Sequence, residues 1–419
     1  MRTGKQISGA ILGPILLACL VAGSAPAQNG DAKIEPICHP TVTAPIEVAT
    51  PRQRNDAGLK ALPPIGTWGF SWPDAQLSAL RNDDGSLYFF SIDASFHPRH
   101  LYNGEWVGNN NSGSVVRTIG TLDNPLGSTP PIDVVIAANP DPKVNPHNCD
   151  PTRNPMSYCY TYIGGGPVYQ VPQGPLGAGD WLLVYHAEYN DPPYFMLGMA
   201  ISSDKGLHWT DIGEIIRVNQ PFSYSGQGMP FAIGDPPLVI SPDGKYFYVY
   251  FQDWLLSGAV TNISVARAPI AEVIQDAFGF GVHHAAPFKK YYQGAWDQPG
   301  ISGASTDLAP EWHYGGGITV SYDSYLQRYL DFNADSENYS YAESPDGLRW
   351  TDSIYLGTLG VNPNGAGYAV GIGPGDDPNI LGQQFYIYYT QFRGPWPTSQ
   401  SVKRFTFTCQ SLSSQAAVE

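Results

Sequence analysis

Positively charged residues are scarce in this chain of 419 residues. Lys and Arg number 22 against 37 Asp and Glu, which gives a formal net charge of −15 at pH 7. Binding to nucleic acid or to an anionic membrane surface depends on basic patches, so this balance argues against both partners. It suits a neutral or weakly charged substrate, and it equally suits an acidic surface whose only role is solubility.

Long apolar runs and the local signatures of several enzyme classes are also missing. Beyond the N-terminal region, no segment carries the roughly 18 consecutive apolar residues of a membrane-spanning helix. There is no GxxxxGKS/T phosphate loop, no HExxH zinc motif and no GxSxG nucleophile elbow. CxxC pairs and His residues at ligand spacing are absent too, so we predict no metal ligands among these residues.

Glycine, proline and aromatic residues are abundant instead. The chain has 46 Gly and 38 Pro, 13% of its residues are aromatic, and only 14% are charged. This composition favours strands and turns over helices. Large all-β domains exceed the usual domain length, so one domain can hold most of the chain.

The N-terminus has the pattern of an export signal. Basic residues precede an apolar stretch over positions 7–23, and Ala25-Pro26-Ala27 offers a small-x-small cleavage site. We predict that residues 1–27 are a signal peptide and that the mature chain is secreted or periplasmic. The rival interpretation is a bacterial lipoprotein box, in which Cys19 carries a lipid anchor on the outer surface.

The cysteines that follow the signal predict disulfides. They are Cys38, Cys149, Cys159 and Cys409, and an even number in an exported chain indicates two bridges. Cys149 and Cys159 flank a loop rich in Pro and Asn, so we expect them to pair locally. A bond between Cys38 and Cys409 would tie the two ends of the domain together.

A structural unit recurs along the chain. It is clearest at 234–251, where Gly-Asp-Pro-Pro leads into an apolar strand, an Asp-Gly turn and a strand rich in aromatic residues. Related units begin near Trp72, Ile163, Gly315 and Gly375. No single unit can bury both faces of a small sheet, whereas a closed ring of sheets can.

These units predict an all-β fold, a five-bladed β-propeller of four-stranded antiparallel blades. We expect the propeller to span residues 65–410. An extended lead-in would occupy residues 28–64, and a short tail would follow at 411–419.

Two further segments resemble the Asp-boxes of propeller proteins. Ser202 to Trp209 reads S-x-D-x-G-x-x-W, and Ser344 to Trp350 reads S-x-D-G-x-x-W. Asp and Gly occupy positions where a tight turn needs a self-bonding side chain and a positive φ. We interpret Asp204 and Asp346 as structural, and we expect the two Trp side chains to pack between blades.

The first residues of the inner strands are the candidates for chemistry, because these positions converge on the central channel. Acidic and glycine-rich positions alternate along the chain: Asp74, 164–166, Asp235, 315–317 and Asp376 with Asp377. Glycine leaves room for a ligand or lets backbone approach closely. Buried carboxylates suit a cation or proton chemistry, and glycoside hydrolysis uses a pair of them.

The order of these motifs resembles that of five-bladed propeller glycosidases of glycoside hydrolase family 43, particularly arabinanases, with families 32 and 68 as relatives. The resemblance implies that Asp74 is the general base and that Asp235 orients the acid and tunes its pKa. The general acid would be a Glu near the start of blade four. That start is Gly315-Gly316-Gly317, so Glu311 and Glu188 are rival candidates for the acid.

Several other residues are candidates for contact with substrate. His186 can orient a carboxylate, and Asp377 can contact the sugar. Trp72, Trp254 and Trp312 can stack against sugar rings, although packing in the core is the default role of Trp. No cofactor is required, and a Ca²⁺ ion held in the central channel by carboxylates and water is the alternative.

The sequence therefore predicts a secreted, monomeric glycoside hydrolase acting on a polysaccharide or oligosaccharide, with furanosides such as arabinan favoured. A non-catalytic propeller that binds carbohydrate or protein is the first alternative, because a scaffold does not fix a function. A sialidase-like enzyme is the second. The Asp-box hairpins suggest it, but no arginine begins a blade.

Overall fold

A computed structural model gives the fold. It describes residues 33–49, 77–93, 100–102, 105–107, 114–125, 127, 132–134, 136–137, 162–172, 180–190, 193–220, 233–234, 236–257, 262–279, 287–309, 318–334, 338–358, 366–392 and 400–411. The segment Ile34–Glu419 forms one compact unit. Within the described residues, no helix is long and apolar enough to cross a membrane. The expected signal peptide, the alternative lipid site at Cys19 and the expected Cys149–Cys159 disulfide lie outside them.

Blade one follows two N-terminal strands. The bounds of these elements are β1 (Cys38–Val42), β2 (Ile46–Ala49), β3 (Ser78–Arg81), β4 (Leu87–Asp93), β5 (His100–Tyr102), β6 (Glu105–Val107), β7 (Ser114–Gly120) and β8 (Ile132–Val134). The sheet of blade one has the order β3-β4-β7-β8, and β5 and β6 form a separate hairpin.

Blades two and three follow in the chain. Their elements are β9 (Ile136–Ala137), β10 (Tyr162–Gly164), β11 (Val168–Gln170), β12 (Trp181–Asn190), β13 (Pro193–Ser202), β14 (Trp209–Arg217), β15 (Ile233–Gly234), β16 (Leu238–Ile240), β17 (Tyr246–Asp253), α1 (Trp254–Ser257), β18 (Ser264–Pro269), α2 (Ile270–Gly279), β19 (Lys289–Tyr292) and β20 (Ala295–Pro299). The inner strands of the two blades, β10–β11 and β15–β16, pair with β12 and β17.

Blades four and five complete the ring. Their strands are β21 (Val320–Asp323), β22 (Arg328–Ala334), β23 (Asn338–Ser344), β24 (Ile354–Thr358), β25 (Ala366–Ile372), β26 (Ile380–Leu381), β27 (Gln384–Phe392) and β28 (Gln400–Ser411). The five sheets have four to six strands each and are arranged as a five-bladed propeller, so the predicted fold is confirmed.

Each strand in the middle of a blade is buried on both faces, because neighbouring blades pack face to face. In β17, Phe247, Val249 and Phe251 belong to a core cluster shared with blade two. Tyr248 and Tyr250 point the other way, into a cluster shared with blade four. The alternation of β-strand side chains thus divides one aromatic sequence between two interfaces.

The two Asp-box hairpins join neighbouring blades. Oδ1 of Asp204 accepts the N–H groups of Leu207 and His208 at 3.1 and 2.9 Å, so this carboxylate closes its own turn. The following Trp209 is buried and packs edge-on against Phe90 of blade one, with ring centroids 6.1 Å apart. The structural interpretation of this hairpin is confirmed.

The second hairpin repeats the arrangement between blades four and three. Oδ1 of Asp346 accepts the N–H groups of Leu348 and Arg349, each at 2.9 Å. Trp350 packs against Tyr250, with ring centroids 6.3 Å apart. A side chain at Gly347, whose φ is +76°, would overlap the Tyr250 hydroxyl. This turn therefore requires glycine both for its backbone conformation and for the close contact.

The inner strand of blade five lies earlier in the chain than the repeat pattern predicts. It is β25, which pairs with β27, whereas the apolar pair Ile380-Leu381 forms β26 and pairs in parallel with β21 of blade four. The sequence of β25, AGYAVGI, is rich in small residues and contains a register shift between Gly367 and Val370. These features remove the apolar alternation that marks a strand.

The N-terminal segment completes blade five. Strands β1 and β2 both pair with β28, the C-terminal strand. The predicted disulfide between Cys38 and Cys409 is present and spans 371 residues of chain. The buried carboxylate of Glu343, in blade four, accepts the N–H groups of Ile37 and Cys38 at 2.9 and 3.0 Å. Strand pairing and the disulfide therefore join the two ends of the chain, and Glu343 binds the N-terminal segment to blade four.

Loss of this disulfide should destabilise the fold. We expect Cys38→Ala, Cys409→Ala and the double variant each to lower the free energy of unfolding by about 2–5 kcal/mol, because the bond restricts a very long loop in the unfolded chain. Urea titration measures this. The three variants should agree with one another, since each removes the same bond, and a double variant as stable as the wild type would contradict the prediction.

Candidate active site

All five inner strands run along the channel in the same direction. A small cavity of about 30 Å³ in mid-channel is lined by Leu77, Pro167, Pro237, Val320 and Val370, one position from each blade at the same level. A second cavity lies at the end of the channel where the inner strands end, and it is lined by residues that follow these five positions in the chain. We call that end the tail mouth and the opposite end, where the inner strands begin, the head mouth.

Glycine brings blades two and three together at the head mouth. Gly164, Gly165 and Gly166 are all buried. A Cβ at Gly166 would overlap the carbonyl oxygen of Val184 and would lie 3.2 Å from Cγ of Pro236. The glycine-rich start of this blade therefore serves close backbone approach at Gly166, one of the two roles expected for it.

His186 lies beside the start of the inner strand of blade three. Its backbone pairs with Gly164 within blade two. A Cβ placed on Gly234 would lie 3.7 Å from Cε1 and 3.9 Å from Nε2 of the imidazole. The ring also packs edge-on against Phe195, with centroids 5.6 Å apart. His186 thus reaches across the blade interface to the residue that directly precedes Asp235.

Burial lowers the pKa of His186 from its ordinary value of 6.5 to about 4. The imidazole is therefore neutral at physiological pH. A neutral ring has one N–H donor and one nitrogen acceptor, so it can orient a carboxylate without adding a positive charge.

Trp254 extends the row of rings at this mouth. It opens α1 directly after β17, and its ring lies 6.0 Å from that of Phe195 between centroids. Its Nε1–H donates to Oε1 of Gln252 at 3.4 Å, and Gln252 pairs with Gly234. Trp254 is only partly buried, so it offers an aromatic face close to the start of the strand.

Three predicted catalytic residues and two predicted substrate-binding residues lie outside the described residues. These are Asp74, Asp235, Glu311, Trp72 and Trp312. They stay predictions.

Glu188 is described in its backbone alone. It lies in β12, where its Cα partners are Tyr162 and Phe195. It follows His186 by two positions, so the strand register puts both positions on the same face of β12.

Asp377 lies at the other end of the channel. It follows β25 and lines the cavity at the tail mouth, together with Asp376. The structure therefore brings His186 and Trp254 together at the head mouth and does not bring Asp377 to them. The difference follows from the shifted inner strand of blade five, which ends rather than begins near this Asp pair.

Tyr368 has a backbone conformation that the sequence does not reveal. It lies near the start of β25 with φ of +57°, within the register shift of that strand. Positive φ is rare for a non-glycine residue, and irregularities of this kind redirect side chains next to functional sites. Its side chain is half-buried.

Asp253 is a buried carboxylate near the head mouth, where it pairs with Ile233. One of its oxygens accepts the N–H of Leu255 at 3.2 Å, and the other accepts the hydroxyl of Ser305 at 2.9 Å. These bonds satisfy both oxygens, so Asp253 supports the fold at this position.

The mid-channel cavity does not match the ligand set of Ca²⁺. Its described lining offers Ser78, Ser321 and Asn379 as polar residues and no carboxylate. Ca²⁺ takes 6–8 oxygen ligands, usually including Asp or Glu. The described part of the chain also contains no group of three or more His, Cys, Asp or Glu that could hold a metal ion. We therefore assign no step to a metal.

Among the comparisons with known proteins, only the comparison with solved structures finds similar proteins. No family model and no curated protein matches the chain. A family 117 glycoside hydrolase from Zobellia galactanivorans has 13% identity and a TM-score of 0.48, over 90% of this chain and 92% of that one. A Dyadobacter fermentans protein of unknown function has 14% identity and a TM-score of 0.44, over 89% of this chain and 95% of that one. The Bacillus subtilis arabinanase has 11% identity and a TM-score of 0.43, over 83% of this chain and 98% of that one. The similar structures thus include glycoside hydrolases, the class that the sequence resembles.

Acid should destabilise the wild-type protein more than a variant without the imidazole. The unfolded chain takes up a proton at His186 near pH 6.5, but the folded chain does so only near pH 4. Stability from this residue is therefore complete above pH 6.5 and is lost as pH falls towards 4, by roughly 1–3 kcal/mol.

Urea unfolding of wild type and His186→Gln at several pH values measures this difference. Tyr355→Phe, at an exposed position, leaves the imidazole and its contacts unchanged and should retain the wild-type dependence on pH. Parallel curves for wild type and His186→Gln between pH 4 and 7 would contradict the assignment.

Proposed function

We propose that this protein is a secreted glycoside hydrolase that cleaves an oligosaccharide or polysaccharide, with furanosides such as arabinan favoured. One observation carries the proposal. At the mouth where the inner strands begin, a neutral, partly buried imidazole lies within 4 Å of the Cβ position of Gly234, directly before Asp235 in the chain. Such a ring suits a carboxylate that works in acid–base chemistry.

The roles follow from the chemistry of glycosidic bonds. Asp74 is the base that activates water, and Asp235 orients the acid and adjusts its pKa. Separation of base and acid by about 6.5–9.5 Å would leave room for that water and give inversion. Glu188 is the acid favoured by position, because it follows His186 on the same face of β12. Glu311 is its rival.

The rings of His186, Phe195 and Trp254 offer a surface on which a sugar ring can pack. His186, Phe195 and Trp254 lie in sequence along one side of the head mouth, with centroid distances of 5.6 and 6.0 Å. The flat, apolar face of a sugar ring packs on such side chains. The disulfide between Cys38 and Cys409 supports export, because such bonds persist in oxidising compartments.

A non-catalytic carbohydrate-binding propeller is the second candidate. The glycine triplet at the start of blade four, where the resemblance calls for a Glu, favours it. A sialidase-like function has less support. Among the described arginines, Arg81 lies at the tail mouth with its guanidinium bound to backbone carbonyls, and Arg349 pairs with Asp346 in a hairpin turn.

Removal of either proposed catalytic Asp should abolish hydrolysis. We expect Asp74→Asn and Asp235→Asn to lower the release of reducing sugar by at least about 100-fold, the usual contribution of a positioned acid or base. The assay uses arabinan, xylan and levan. Asp243→Asn, in the exposed turn after β16, is the matched control and should retain activity. Failure of the wild type to cleave any polymer, or full activity in either variant, would contradict the proposal.

The choice between the two acids has its own test. A variant without the general acid should lose activity on arabinan but retain it on an aryl arabinofuranoside, whose leaving group needs no proton. We expect this pattern for Glu188→Gln and not for Glu311→Gln. The reverse result would transfer the role to Glu311.

A further inference from the structure

The cavity at the tail mouth is separate from the proposed active site. Its volume is about 690 Å³, and all five blades contribute to its lining. The mid-channel cavity has a volume of only about 30 Å³, and His186, Gly234 and Trp254 of the head mouth are not among the residues that line the tail-mouth cavity. Along β15 and β16 the two mouths are roughly 20 Å apart.

The polar side of this cavity is held in place by hydrogen bonds. Oδ1 of Asp377 accepts the N–H of Asn379 at 2.9 Å and its amide Nδ2 at 3.1 Å. The same Nδ2 donates to the carbonyl oxygen of Ala79 in blade one at 3.2 Å. The Asp377 carboxylate is therefore fixed in orientation between blades five and one.

Arg81 fixes the loop that carries the acidic pair. Its guanidinium donates to the carbonyl oxygen of Gly375 at 3.0 and 2.6 Å and to that of Pro374 at 3.0 Å. It is the single basic residue in the described lining, and Asp376 and Asp377 are the acidic ones. The cavity thus carries no excess of positive charge, which disfavours phosphate and other anions.

Two tyrosines supply aromatic surface. Tyr169 of blade two packs on Phe247, with ring centroids 4.8 Å apart, and Tyr322 of blade four donates to Gln327 at 3.0 Å. Burial and, secondarily, the negative charge of Asp377 raise the pKa of Tyr169. Tyr169 and Asp377 therefore lie within electrostatic reach of each other across the mouth.

We propose that the tail-mouth cavity is a second carbohydrate-binding site, which takes a short neutral oligosaccharide. The rings of Tyr169 and Tyr322 offer packing surface for sugar faces, and Asp377 and Asn379 offer ordered partners for hydroxyl groups. The volume lies within the range of small-ligand sites. A purely apolar ligand would remove water from the Asp377 carboxylate and supply no donor beyond those of Asn379, at a cost in affinity. Because these groups are already fixed, little ordering is needed on binding.

Calorimetric titration tests the site in the full chain carrying Asp235→Asn, which prevents hydrolysis from contributing to the signal. The probes are arabinotriose, xylotriose and cellotriose. Adding Tyr169→Leu and Asp377→Ala, which remove the ring and the carboxylate, should lower the number of sugars bound per chain by one, or weaken one site at least tenfold. The matched control adds Tyr355→Leu and Asp297→Ala, both at exposed positions outside the described cavity lining, and should bind as the parent does.

The result does not depend on the proposed function. If the head mouth binds no sugar, the parent should bind one sugar and the altered chain none. Equal thermal midpoints establish that both chains are folded. The proposal is overturned if no trisaccharide binds the parent, if the altered chain and its control bind alike, or if spermidine occupies the site in preference to all three sugars.

Discussion

The structure depends on the contact between the two ends of its chain. A ring of blades stays closed only if the last sheet is complete, and here β1 from the N-terminal segment pairs with β28 at the C-terminus. The disulfide between Cys38 and Cys409 fixes that pairing covalently, and Glu343 binds the entering backbone from blade four. Since the inner strands converge on one channel only in a closed ring, the site at the head mouth depends on this closure.

Closure also gives the channel two ends of unlike chemistry. The head mouth has glycine backbone, a neutral imidazole and a row of aromatic rings around Gly234. The tail mouth has the acidic pair Asp376-Asp377 and two tyrosines. The two mouths are lined by different residues. The same repeated strand thus positions one set of residues at its start and another at its end.

The sequence predicts those parts of this arrangement that repeat. The ring of five blades, the Asp-box turns and the pairing of Cys38 with Cys409 follow from periodicity, turn chemistry and cysteine position, and the structure confirms them. The inner strand of blade five could not be predicted, because small residues and a bulge remove the alternation of apolar and polar residues that marks a strand. The positive φ of Tyr368 could not be predicted either, because it leaves no local sequence pattern. The same holds for the tail-mouth cavity, because residues from five blades form its surface.

The central claim is that the head mouth is where sugar is cleaved. The most direct measurement is a crystal structure of the Asp235→Asn chain with the oligosaccharide that the wild-type protein hydrolyses. The account predicts sugar beside His186 and Trp254, with the glycosidic oxygen between the side chains of positions 74 and 188. A head mouth free of sugar, or the side chains of positions 74 and 235 on opposite mouths, would contradict it.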